Sequence, residues 1–152
     1  MPLPFSLDVQ ADMKDTLHYA LYIQGPSTIL PDTTYYKEGM EQQKAAILGM
    51  WAQMAKAVLS QTKLAPELID AYVEDALKFD ALLASLVKSS EEWSNYIANY
   101  NLFKTSKVNS LVKPIKLKKL LEKLFGFVPE TIIVTEPRYF KGFKSVFNEE
   151  TF

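Results

Sequence analysis

Cysteine is absent from the 152 residues, so neither a disulfide framework nor a thiolate site is available. Histidine occurs once, as His18. Catalytic zinc takes three protein ligands, usually with histidines sharing a helix face, and serine catalysis needs a base for the hydroxyl proton, so one imidazole leaves both short of parts. The five glycines are scattered and supply no run of amides to cradle a phosphate. No Gly-x-Ser-x-Gly elbow and no Asp-x-Asp-x-Asp-Gly loop occurs. No apolar run approaches the ~20 residues that cross a bilayer. Met1-Pro2-Leu3-Pro4 lacks the basic-then-apolar order of a secretion signal. Charge of one sign is not in excess either: 17 basic against 18 acidic residues leave a net charge of -1, with no global field for nucleic acid or anionic membrane. The chain is expected to be cytoplasmic, with no catalytic, cofactor-binding or metal residues of its own and no nucleic-acid or membrane partner.

What is present is apolar substance: 48% hydrophobic and 12% aromatic residues, enough for one globular domain spanning 1–152. Phe5, Leu7, Val9 and Ala11 alternate with Ser6, Asp8, Gln10 and Asp12, and Leu17, Tyr19, Leu21 and Ile23 alternate with His18, Ala20, Tyr22 and Gln24. This period of two predicts an antiparallel hairpin over 5–24, turning through Asp12 to Thr16 and stopped by Gly25-Pro26-Ser27. From Pro31 onward the period becomes helical, and a helical part is expected over 32–148. Asp32 or Thr33 offers a helix start and Gly39 an interruption. A long helix follows from Glu41 to about Thr62, with Ile47, Trp51, Met54 and Val58 on its stripe. Pro66 opens a second, with Leu68, Tyr72, Ala76, Phe79, Leu83, Leu86 and Val87 inward. Ser89 or Ser90 caps a shorter helix through Trp93, Tyr96, Ile97 and Tyr100. Thr105 starts another brief one. Leu117, Leu120, Leu121, Leu124 and Phe125 form one more face, closed by Gly126. Thr131–Thr135 is a short apolar run, strand or extended, and Pro137 opens a last helix bearing Tyr139, Phe140, Phe143, Val146 and Phe147. The fold class is mainly α (α+β): a helical domain with a small N-terminal hairpin.

Three groups invite a chemical reading. His18 sits on the polar register of its strand and reads as a sheet-surface histidine. Glu67, Asp70, Glu74, Asp75 and Asp80 crowd the second long helix, where a solvated face explains them, with Glu74 and Lys78 an ordinary pair four apart. Lys113, Lys116, Lys118, Lys119 and Lys123 lie near Phe125 and Phe127, a combination that suits nucleic acid. Their interleaving with leucines fits the outer face of an amphipathic helix better. Trp51, Phe79, Trp93, Tyr96, Phe140 and Phe143 are expected in the core; any that prove exposed would mark a surface for another domain or a peptide.

Three separated stretches go further together: Asp12-Met13-Lys14-Asp15, Leu30-Pro31 with Tyr35-Tyr36, and Ile132-Ile133-Val134 leading into Pro137-Arg138-Tyr139-Phe140. They resemble the N-terminal non-catalytic region of neprilysin-like zinc metalloendopeptidases, within that family the bacterial endopeptidase O group, and the likeness runs from about Leu3 to Glu150. The resemblance implies a largely helical region that covers the peptidase domain and encloses a chamber for peptides. It also implies that zinc is held elsewhere in the parent enzyme, by a His-Glu-x-x-His helix and a downstream Glu-x-x-x-Asp, with an Asn-Ala-x-Tyr strand for substrate. None of these motifs occurs here, and Asn99-Tyr100-Asn101 does not replace the last. Asp12, Lys14, Pro31, Tyr35 and Tyr36 therefore carry over as fold-determining positions only. The expectation is a part of a zinc-dependent oligopeptide endopeptidase, truncated at both ends and inactive alone. Its expected partners are the missing catalytic domain, peptides through the parent, and copies of itself through uncovered apolar faces. A free-standing helical binding or scaffold module that kept the fold without the enzyme is the alternative.

Overall fold

The structure, a computed structural model, describes residues 3–148. The chain divides into two compact units, one built from 3–26 together with 91–148 and the other from Ser27–Ser90. The first unit holds a four-stranded sheet, in which β1 (Ser6–Ala11), β2 (Tyr19–Gln24), β3 (Leu102–Lys104) and β4 (Thr131–Val134) lie in the order β1-β2-β4-β3. The expected hairpin is there, with Ser6 opposite Gln24 and Ala11 opposite Tyr19. β4 then pairs parallel with β2 and antiparallel with β3, a three-residue strand too short to announce itself in the sequence.

Alternation describes this hairpin incompletely. Leu21, Tyr22 and Ile23 are all buried, and so are Ile132, Ile133 and Val134 of β4, because the middle of the sheet is covered on both faces. Tyr22, expected outward, is thus a core residue. Leu17 and Tyr19, expected inward, are 90% and 79% exposed, since they stand at the hairpin end beyond that cover. Past Val134 the ladder continues: the Thr135 amide and hydroxyl both donate to the Ile23 carbonyl, at 3.1 and 3.2 Å.

After α1 (Glu41–Leu59), α2 (Pro66–Ala84) and α3 (Ser90–Ser94), three further helices complete this unit's framework: α4 (Thr105–Leu111), α5 (Leu117–Phe125) and α6 (Pro137–Val146). Leu117 and Leu121 of α5 are fully buried, whereas Leu124 and Phe125, expected on the same face, are exposed. Gly126 ends α5 with a φ of 77°, the left-handed cap the sequence called for. On α6, Tyr139, Phe140, Phe143 and Val146 are buried, with the Tyr139 ring edge-on to Phe140 and Phe143 at 5.1 and 6.0 Å. The helix expected through Tyr100 is instead α3 (Ser90–Ser94) and a separate 3-10 turn, Tyr96–Asn99, with Asn95 accepting from the Ala98 amide. Tyr96 and Ile97 are consequently exposed and not core.

The second unit contains a 3-10 turn, Thr33–Tyr36, followed by α1 (Glu41–Leu59) and α2 (Pro66–Ala84). Gly39, at φ 86°, separates the turn from α1. The stripe on α1 is only half-covered at Ile47 and Trp51, and Met54 and Val58 lie exposed together with Met50. On α2 the buried line is Ile69, Val73, Asp80 and Leu83, continuing to Val87. Leu68 and Tyr72, expected inward, are exposed, because the stripe runs one residue later than their spacing indicated.

Gly25 joins β2 to α6 in the first unit. Its amide donates to Glu136 Oε2 at 2.9 Å, and a Cβ on it would meet that same oxygen at 2.9 Å and the Tyr139 ring at 3.0 Å. Glu136 is 2% exposed, so its carboxylate has little freedom to retreat. Burial, and secondarily the Glu136 charge, push the Tyr139 hydroxyl well above its ordinary range, and that hydroxyl donates to the Pro4 carbonyl. Gly25→Ala is expected to lower stability by about 1–3 kcal/mol through overpacking. A urea unfolding curve with a lower midpoint and unchanged slope is the check.

Candidate functional site

His18 lies at the turn end of the hairpin, its Nδ1 2.7 Å from Asp15 Oδ2, with both side chains largely exposed. The pair offers at most two of the three ligands of a catalytic zinc. Among the described residues no group of three or more His, Cys, Asp or Glu side chains is placed to hold a metal ion. The residues present do not fit the zinc that the resemblance places in a parent enzyme.

Of the positions singled out by the resemblance, Asp12, Lys14 and Tyr36 have identifiable structural duties. Asp12 Oδ1 accepts the Lys14 amide at 2.8 Å, which shapes the corner, and its Oδ2 accepts the Tyr100 hydroxyl at 3.1 Å. Lys14 Nζ stands 4.5 Å from the centre of the Tyr100 ring, so charge, ring and carboxylate hold the corner to a segment 88 residues away. Tyr22 reaches the same corner, its hydroxyl receiving the Met13 amide and donating to the Ala11 carbonyl.

In the second unit two aspartates organise the approach to Tyr35-Tyr36. Asp32 caps the 3-10 turn by accepting the Thr34 amide at 2.7 Å, and its other oxygen accepts the Ser90 amide at 2.6 Å. Hydrogen bonding from the Ser90 side chain, then from the Thr34 backbone, holds the Asp32 carboxyl well below the usual carboxylate range. Asp80 is buried, where it accepts the Ile29 amide at 2.7 Å and the Tyr36 hydroxyl. Burial first, and then Asp80, push that phenol well above its ordinary range.

Asp80 therefore leaves the solvated carboxylate face to which its neighbours belong. Asp70 pairs with Lys56 at 2.6 Å, and Glu74 with Lys78 at 2.8 Å, both exposed. Sequence reasoning missed Asp80 although a signal existed: it sits seven residues after Val73 and three before Leu83, inside the buried line. A carboxylate at such a position needs donors, and Ile29 and Tyr36 supply them.

The lysine run surrounds a shallow cleft of about 380 Å³, lined by Lys113, Lys116, Lys118 and Lys119 around Pro114 and Ile115. The lysines are exposed, with Leu117 and Leu121 buried behind them, the arrangement of an amphipathic helix with a basic outer face. Asn109, also at the cleft, spends its Oδ1 on the Lys118 amide at 3.1 Å.

Removing the Asp32 carboxylate tests the cap. Because its folded pKa is depressed, its contribution is present above the ordinary carboxylate range and is lost as pH falls through the lower folded value. Asp32→Ala is expected to cost about 1 kcal/mol at neutral pH and to flatten the acid limb of stability, read from urea midpoints across pH. Tyr36→Phe, which strips a donor from buried Asp80, is expected to cost about 1–3 kcal/mol by the same measurement.

With this geometry in hand, comparison with known proteins is direct. The family model described as "Peptidase family M13", for its N-terminal part, matches residues 1–152. The chain is 41% identical over 149 residues to a neutral endopeptidase of Lactococcus lactis subsp. cremoris, covering 98% of this chain and 23% of that protein. It is 35% identical over 150 residues to a neutral endopeptidase of Lactobacillus helveticus, covering 99% and 23%. The crystal structure of PepO from Lactobacillus rhamnosis superposes with a TM-score of 0.90 at 28% identity, covering 99% of this chain and 24% of that one. A zinc metalloprotease of Mycobacterium tuberculosis, Zmp1, shares the fold at a TM-score of 0.77 and 19% identity, covering 97% and 23%. The chain thus spans about a quarter of the length of the relatives it matches. These matches bear out the neprilysin-like resemblance. The chain belongs to peptidase family M13 and corresponds to the N-terminal region of its members.

Proposed function

We propose that these 152 residues are a non-catalytic part of a zinc-dependent oligopeptide endopeptidase, shaping or covering the chamber in which peptides are cut. The observation that carries this is a disparity. Similarity to the family extends along the whole chain, while His18 is its one histidine and His-Glu-x-x-His does not occur in it. The polar clusters at Asp12, Asp32, Asp80 and Glu136 support the same reading, because each is spent on backbone amides or on a tyrosine hydroxyl and not aimed at a shared open point.

In this reading zinc and the general base belong to the catalytic domain, which is the principal partner, and peptides are met through the assembled enzyme. The 152 residues act as one covering element, in a cytoplasmic enzyme. Exposed Met50, Met54 and Val58 on α1 and Leu124, Phe125 and Phe127 around the end of α5 are apolar surface of the kind that such a partner covers.

Alone, the chain is expected to hydrolyse no peptide and to bind no zinc tightly; zinc-dependent cleavage abolished by a chelator would overturn the proposal. The positive test mixes it with a separately produced catalytic portion of the Lactococcus neutral endopeptidase. Binding together with restored or altered peptide cleavage is expected. Absence of both favours an independent binding module.

A further inference from the structure

The cleft of about 380 Å³ where α4 passes into α5 has a one-sided chemistry: four of its seven lining residues are lysines. Its volume falls in the range of small-molecule sites. All of the lining comes from one short stretch, Asn109 to Lys119, so its shape is set locally. The chain carries a net charge of -1, yet Lys113, Lys116, Lys118 and Lys119 gather here with no acidic residue in the lining. The first turn of α5 holds no acidic residue either, so the positive pole of the helix adds to their mutual repulsion. Elsewhere Lys56 pairs with Asp70 and Lys78 with Glu74. Among the described residues no ion pair serves any of the four lysines at the cleft.

The remaining polar group at the cleft is also a donor. Asn109 is half-buried, and its Oδ1 is taken by the Lys118 amide at 3.1 Å. Its Nδ2 is left, and no acceptor among the described residues meets it. Pro114 and Ile115 add apolar wall and no hydrogen-bonding side chain. Ammonium and amide hydrogens with no free acceptor side chain beside them select a ligand made of acceptors, an oxyanion. The kind of cation narrows the choice. The chain's one arginine, Arg138, meets a planar carboxylate, its two terminal nitrogens on the two oxygens of Glu92 at 2.9 and 3.0 Å. The cleft has lysines only, flexible point charges able to gather around a tetrahedral group from several directions.

We propose that this cleft binds a small multivalent phosphate anion, an inorganic polyphosphate or the di- or triphosphate group of a small molecule, held by the four lysines and Asn109 Nδ2. More than one phosphoryl group is required, because a single phosphate, at about two negative charges, leaves half of the lysines unmatched. Binding here is independent of the peptidase reading.

Isothermal titration calorimetry of the 152-residue chain with inorganic tripolyphosphate at low salt is expected to show one anion bound per chain, with affinity falling as sodium chloride is added. Lys116→Gln combined with Lys119→Gln should weaken binding roughly tenfold or more. Lys37→Gln combined with Lys63→Gln, an equal loss of charge at exposed positions of the second unit, should change it less than about twofold. Asn109→Asp keeps the oxygen that accepts the Lys118 amide and replaces the donor with a charge, so it should weaken binding roughly tenfold or more with an unchanged circular dichroism spectrum. A tetraglutamate peptide, anionic through carboxylates, is expected to bind about tenfold more weakly than tripolyphosphate. If Asn109→Asp does not fold, the two lysine pairs decide. No binding of tripolyphosphate at low salt, several anions per chain, equal weakening by the two lysine pairs, full affinity in a folded Asn109→Asp, or equal binding of tetraglutamate would overturn the proposal.

Discussion

The parallel pairing of β2 with β4 is the constraint on which the first unit depends. It brings Tyr22 and Ile23 beside Ile133 and Val134, more than a hundred residues later in the chain. Parallel strands need a crossover, and here the intervening chain also forms the second unit. Once the pair is made, β1 and β3 have only the two outer positions left, and Thr135 extends the ladder to the start of α6. Gly25 and Glu136 then meet because their strands are adjacent. Contacts of this separation form late and slowly, since closing so long a loop costs entropy before any burial offsets it.

Carboxylates complete what the sheet begins. Asp12, Asp32, Asp80 and Glu136 each accept backbone amides at loop or helix boundaries, where a chain with few glycines still has to turn. The two that are buried, Asp80 and Glu136, add specificity, because a mispaired alternative would leave a charge without donors. The same residues in another setting would be candidates for acid and base chemistry. Here their oxygens already accept amides and tyrosine hydroxyls, which gives them a structural role.

The uncovered apolar surface is the other general property. α1 has no fully buried residue, and Leu68 and Tyr72 of α2 are exposed as well. The chain spans about a quarter of its relatives' length, and such faces are apolar surface of the kind that a partner covers.

By itself the sequence determined the local structure: the hairpin over 5–24, the starts at Asp32, Pro66 and Pro137, the left-handed stop at Gly126, and the family likeness in its three stretches. These are set by neighbours a few residues apart, through alternation, capping and the φ freedom of glycine. Tertiary structure alone decided which faces lie inside. Tyr22 became core because β4 arrived beside β2, Asp80 was buried because Tyr36 and the Ile29 amide were there to receive it, and Met54, Val58, Tyr96 and Ile97 stayed outside because no described element covers them. Periodicity reports that an apolar face exists. What packs against that face depends on residues remote in sequence.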